Sequence, residues 1–130
     1  MSSIFSKIIR RQIPAYIVAE NDDNIAFMDI FPIQRGHVLV VPKIEIDNIF
    51  DLPLQSYISL FSFAREVSDG IKRAISCNRV GISVIGLEVP HAHIHLVPIN
   101  KLNDMDFNNK KNISTKELLL LSQKIVKQIK

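Results

Sequence analysis

Tryptophan is absent from this chain of 130 residues, cysteine occurs once, and glycine only four times. The lone Cys77 permits no internal disulfide. That excludes a stapled secreted scaffold and leads us to expect a reducing, cytoplasmic setting. Cys77 itself reads as small apolar filler. So few glycines, with six prolines, exclude a collagenous or low-complexity chain. No apolar run approaches the ~20 residues that span a bilayer. The opening Met1–Lys7 lacks the apolar stretch of a secretion signal. No membrane partner is expected. Charge is modest too: sixteen basic against thirteen acidic residues leave +3, too small a bias to argue for a nucleic-acid partner. What is present is apolar, 47% of the chain. At this length folding buries roughly two-thirds of the extended surface, enough for a real core. One domain over 1–130 is expected.

The opening Ile4–Arg10 predicts a short helix that stops before Pro14. Ala15–Glu20 and Ile25–Asp29 read as strands of a hairpin across the turn cluster Asn21–Asn24. A loop, Phe31–Gly36, leads to an apolar strand His37–Val41. Asp51 is a candidate cap for a long helix over 54–76, in which Tyr57, Leu60, Phe61, Ala64, Val67 and Ile71 share one face. Val80–Ile85 and Val89–Ile99 predict two more strands. Asn100–Asn112 reads as loop. Ser114 and Glu117 resemble a capping box opening a last helix whose basic end carries Lys124, Lys127 and Lys130. Strands segregated from the long helix indicate an α+β fold with a mainly antiparallel sheet.

Three of the four histidines fall in Pro90-His91-Ala92-His93-Ile94-His95. On a strand, residues two apart share a face, so the imidazoles would line one side and Ala92, Ile94 and Leu96 the other. Solvated strand faces usually carry Thr, Lys, Glu or Ser, so a mere surface role fits poorly. Zinc binding through His91 and His93 is a second reading. All three on one ion is implausible, because residues 91 and 95 lie about 13 Å apart along a strand. The third reading is catalysis. A neutral imidazole nitrogen is a nucleophile near neutral pH, and flanking rings donate to phosphate oxygens. His93, with a neighbour on each side, is the natural nucleophile.

The segment Gly86–Pro98 resembles the signature of the histidine triad (HIT) family. Two further stretches resemble that family's nucleotide-binding strands: Ala26-Phe27-Met28-Asp29-Ile30-Phe31-Pro32 and Gly36-His37-Val38-Leu39-Val40-Val41-Pro42-Lys43. Ile4-Phe5-Ser6-Lys7-Ile8-Ile9 with Ile13-Pro14-Ala15 resembles its opening. The likeness covers roughly residues 3–108 and implies a HIT-like fold: a five-stranded antiparallel sheet, a long helix, and here a C-terminal helical extension from about 109 to 130. It implies a nucleotide hydrolase or transferase acting at the α-phosphate through a nucleotidyl-histidine. Carried over by position, His93 is the nucleophile, His95 contacts the phosphate, His91 orients His93, and His37 joins the cluster. Asp29 holds the ribose hydroxyls. Phe5, Ile8, Ile13, Phe27, Ile30, Leu39 and Val89 line the pocket for base and sugar. A protonated neighbour would aid the leaving group, and imidazolium charge would face the phosphoryl oxygens. The substrate class is nucleoside phosphoramidates or related adenylated compounds. A homodimer whose sheets join is also implied.

The chain departs from the family pattern in places. Some members hold a structural zinc through an early Cys-x-x-Cys. Here those positions are Ser3 and Ser6, and the expected histidine after Pro-Lys is Glu45. No metal and no cofactor are therefore expected. Leu87 stands where many members have Gln, and the loop before the triad is short. Two alternatives thus stay open: a nucleotide-binding module with little turnover, and a metal-binding β-protein using His91 and His93.

Overall fold

Residues 2–129 are described by the computed structural model. Met1 and Lys130, the latter expected at the basic end of the last helix, lie outside them. Ser3 opens the first helix, α1 (Ile4–Ile9), its Oγ accepting the Ser6 N–H. Strands β1 (Ile17–Glu20) and β2 (Asn24–Met28) form the expected hairpin. Asn21 Oδ1 closes its turn by accepting the N–H groups of Asp23 and Asn24. Then come β3 (Val38–Pro42), α2 (Leu54–Ala74), β4 (Arg79–Ser83), β5 (Ile94–Ile99) and α3 (Thr115–Gln128). The strands build one antiparallel sheet in the order β1-β2-β3-β5-β4. This is the α+β arrangement expected from the sequence.

Alternation along the central strands sorts the core into two layers. Ala26, Met28, Val38, Val40, Ile94 and Leu96 face α2 and α3, meeting Leu60, Val67, Ile71, Leu118 and Ile125. Ile25, Phe27, Leu39 and Val41 face the other way, onto Phe5 and Ile8 of α1. Every residue of β2 and β3 is buried as a result, which explains their nearly unbroken apolar runs. Each such large side chain contributes about 1.5–3 kcal/mol by leaving water. The terminal helix α3, expected as an extension beyond the core, supplies Leu118, Leu121 and Ile125 to the main cluster.

Three local expectations need correction. The strand expected over Val89–Ile99 starts only at Ile94. Pro90 has no N–H for a ladder, and the His91 N–H turns back to the Val89 carbonyl at 2.8 Å. The Ala92 N–H is taken by the Ile46 carbonyl at 2.7 Å. Asp51 does not cap the long helix. It ends a short 3-10 turn, Ile49–Asp51, capped by Asn48, and α2 begins behind Pro53 with no side-chain cap bond. Ser114 does cap α3 by accepting the Glu117 N–H, but Glu117 pairs with Arg35 at 2.5 Å instead of completing a capping box.

Gly36 sets the entry to β3. Its φ of +91° is costly for residues with a side chain, and a Cβ there would meet Pro98 Cγ at 3.0 Å and Ile75 Cγ1 at 3.1 Å. This turn aims His37 inward.

Candidate active site

The four histidines, 37, 91, 93 and 95, are all buried, with His37 and His91 fully so. β3 and β5 lie side by side, Leu39 opposite His95, so the residue just before β3 reaches the second residue of β5. His37 Nε2 and His95 Nδ1 are 2.9 Å apart. The His93 and His95 rings meet edge to face at 4.9 Å between centroids. His91 departs from the shared strand face expected for it. Its Nε2 lies 2.8 Å from the Pro42 carbonyl and its Nδ1 2.7 Å from Ser3 Oγ. It touches His93 through its own carbonyl, 2.7 Å from His93 Nδ1, rather than through its ring. The diversion at Pro90 produces this turn of the ring.

These partners fix where each proton sits. The Ile33 N–H donates to His37 Nδ1 at 3.1 Å, so the His37 hydrogen is on Nε2. That N–H donates to His95 Nδ1, leaving the His95 hydrogen on its own Nε2. A carbonyl only accepts, so His93 donates from Nδ1 to His91, and its Nε2 lone pair is bare. By the same logic His91 donates from Nε2 to Pro42 and accepts the Ser3 hydroxyl hydrogen at Nδ1.

Burial holds these rings neutral. It pushes His37 down to about 3. His95 also falls to about 3, first by burial and then through the neighbouring His37 and His93. Burial likewise lowers His91 and His93, against the pull of their carbonyl partners. The expected imidazolium charge is therefore absent at neutral pH. What the cluster offers is an N–H donor on His95 for an anionic oxygen and a lone pair on His93 for an electrophilic centre.

Asp29 follows β2 and stands beside this row. Its Oδ1 accepts the Phe31 N–H at 2.8 Å, and Oδ2 lies 3.5 Å from His37 Nε2. Phe5, Ile8, Phe27 and Leu39 form the buried second apolar cluster, with Ile13 and Val89 packed on its edge. Phe5 also sets its edge against the His93 ring at 5.0 Å. Ile30 does not join them and is 55% exposed. On the α2 side of His93 opens a cleft of about 460 Å³, bordered by Phe50, Tyr57, Phe61, Leu87 and Ala92.

The HIT domain model matches residues 10–102. The chain belongs to the HIT-domain family. A HIT-like protein of Borreliella burgdorferi is 32% identical over 94% of this chain and 94% of its own length. The purine nucleoside phosphoramidase of Escherichia coli K12 is 35% identical over 79% of this chain and 92% of its own. A crystal structure of a HIT-like protein from Bartonella henselae, involved in cell-cycle regulation, superimposes with a TM-score of 0.86 at 29% identity. That match covers 98% of this chain and 96% of the other.

The zinc of some HIT members is not suited to the residues found here. Ser3, Ser6, Glu45 and His91 do converge. Yet hydroxyls are outside zinc's ordinary ligand set, and these atoms already satisfy one another. Among the described residues, Asp29, His37 and His95 also converge, with polar atoms within 4.8 Å of one another. There His37 Nε2 keeps its hydrogen and has no lone pair for an ion. A site using His91 and His93 fails as well, since both His91 nitrogens are occupied.

One contributor escaped the sequence reading. Phe107 sets its edge on His95 at 4.7 Å and on His37 at 6.1 Å. It lies in the polar segment after β5, where no periodicity marks it. Only its being an aromatic residue amid Asp106, Asn108 and Asn109 could have drawn notice.

Proposed function

We propose that this protein is a nucleotide hydrolase or transferase that attacks the α-phosphate of purine nucleoside phosphoramidates or related adenylated compounds through His93. One observation carries the reading: the His93 Nδ1 hydrogen is committed to the His91 carbonyl, which leaves Nε2 bare on a ring that packs against that of His95. The likeness to a purine nucleoside phosphoramidase supports the substrate class.

His93 Nε2 forms a bond to phosphorus as the P–N bond to the leaving amine breaks. The amine keeps the electron pair and takes a proton from water. Positive charge develops on the His93 ring, and the His91 carbonyl, already accepting its Nδ1–H, stabilises it. The His95 Nε2–H donates to an equatorial phosphoryl oxygen. His37 holds His95 in the tautomer that makes this possible. Water then attacks phosphorus and gives a proton to the hydroxide left by the first step, the N–P bond breaks with its electron pair returning to Nε2, and the nucleotide leaves. The scheme needs no metal and no cofactor. Asp29 accepts the ribose hydroxyls. The base and sugar lie against Phe5, Ile8, Ile13, Phe27, Leu39 and Val89, with Ile30 at the rim.

A binding module with little turnover is the rival reading. It is favoured by Leu87, 88% exposed on the loop next to the His93 cleft and with no amide to offer a phosphate. Intact-protein mass spectrometry after brief exposure to an adenosine phosphoramidate separates the two. A nucleotide adduct in the wild type that is missing in His93→Asn supports catalysis. Equal residual turnover in both proteins with no adduct supports binding alone.

The protein is further proposed to be a cytoplasmic homodimer joined at β4 and α2. The β4 edge and the following loop expose Ile82, Val84 and Ile85, and α2 exposes Leu54 and Ile58. Pairing would cover an unprotected edge strand. Among the described residues no helix is long and apolar enough to cross a membrane.

A further inference from the structure

A second hydrogen-bonded unit lies behind the histidine row, at the junction of α1, the segment after β3 and the loop before β5. Ser3 Oγ lies 2.7 Å from His91 Nδ1 and accepts the Ser6 N–H at 3.0 Å. Glu45 Oε1 accepts two hydrogen bonds, from the Ser3 N–H at 2.7 Å and from the Ser6 hydroxyl at 2.6 Å. Ser3 and Ser6 are buried, and His91 is fully enclosed. Glu45 thus clamps both ends of the Ser3–Ser6 turn, and the Ser3 hydroxyl has one direction left for its hydrogen, toward His91. That bond and the Nε2–H bond to Pro42 pin the His91 ring from both sides, and its peptide carbonyl is held on His93.

We infer that Ser3, held by Glu45 and Ser6, is a positioning residue for the nucleophile, acting through the ring and carbonyl of His91. The inference rests on the assignment of His93 as the attacking group, but the state of the rings can be measured without turnover. Without the Ser3 hydrogen, the Pro42 carbonyl still holds the His91 hydrogen on Nε2, but the buried Nδ1 lone pair has lost its donor. A buried acceptor without a donor is costly, and a carboxylate placed there repels it, so the ring turns. The carbonyl beneath it shifts, and His93 loses the acceptor that keeps Nε2 bare and takes up charge in the attack. The unit occupies the positions where other HIT proteins hold zinc, and here it is built from hydroxyl and carboxylate hydrogen bonds alone.

Ser3 also caps α1, so the test separates the two roles. Ser3→Thr keeps both cap and hydroxyl hydrogen. Ser3→Asp keeps a cap acceptor but, ionised, has no hydrogen to give. Ser3→Ala has neither. Turnover of an adenosine phosphoramidate is measured alongside 15N–1H spectra of the imidazoles. Ser3→Ala and Ser3→Asp are expected to lower kcat about tenfold with KM within about twofold, as misplacement of a reacting group does. In both, the His93 Nδ1–H signal is expected to weaken or move. Ser3→Thr is expected to match the wild type in both readouts. Wild-type kcat and an unchanged His93 signal in a folded Ser3→Asp would overturn the inference, since the cap alone would then suffice. A wild type with no turnover would count against the phosphoramidase reading, and the imidazole spectra would still decide the role of Ser3.

Discussion

At the scale of single residues, the chemistry depends on which nitrogen of each ring is protonated. His93→Asn removes the lone pair and is expected to abolish the nucleotide adduct and cut kcat by at least about a thousandfold, measured by mass spectrometry and steady-state turnover. Burial lowers His93 below its ordinary 6.5, so the ring stays neutral into mildly acidic solution. The pH profile of kcat/KM should therefore be flat from about 8 to 6.5 and fall only on the acid side of that. A fall that begins above 6.5 would show that the ring is not so shielded. The alternation of histidine with Ala92 and Ile94 made the candidates His91, His93 and His95 legible in the sequence. Their partners were not. Nothing about Pro42 or Ile46 in the sequence announces that its carbonyl will meet His91 or the Ala92 N–H, because those contacts depend on how distant segments pack.

At the scale of elements, periodicity told most of the story. The 3.6-residue spacing from Tyr57 to Ile71 marks α2, and the apolar run after His37 marks β3, each within a residue or two of its true end. The pattern failed at Val89–His93. Alternation persists there without a strand, because backbone groups bond to Ile46 and Val89 rather than to a neighbouring strand. Gly36 is the element-level control on the site. Gly36→Ala places a Cβ at positive φ against Ile75 and Pro98, and it should lower stability by about 1–2 kcal/mol in urea titration. Because the same turn aims His37, the variant should also lose turnover beyond any loss of folded protein. At the far end, Ser114→Ala removes the acceptor for the Glu117 N–H and should cost about 1 kcal/mol without altering turnover.

At the scale of the whole molecule, the buried neutral histidines make folding sensitive to acid. On unfolding, His37 and His95 return from about 3 to about 6.5. Between those values the unfolded chain binds more protons than the folded one, so stability falls as pH drops through that window and is level above it. Glu45 acts in the same sense lower down, from its ordinary 4.5 toward about 2, because the Ser6 hydroxyl and the Ser3 N–H favour its ionised form. Urea midpoints are expected to hold from pH 8 to 7 and then decline steadily toward pH 4. A midpoint unchanged at pH 4.5 would contradict the burial argument. Assembly is tested by Val84→Asp on the exposed margin of β4. Sedimentation should show a dimer for the wild type and a monomer for the variant.

The amide hydrogen of Ile33 reaches further than its place in a connecting loop suggests. Each ring after it takes its orientation from the one before, so the polarity of the His37–His95 pair originates in main chain rather than in any side chain. Exchanging one side chain for another cannot delete a backbone N–H, proline excepted. The direction in which this pair presents hydrogen is thereby insulated from most mutations. Substitution at exposed positions such as Ile30 and Leu87 leaves the sense of that donor row the same.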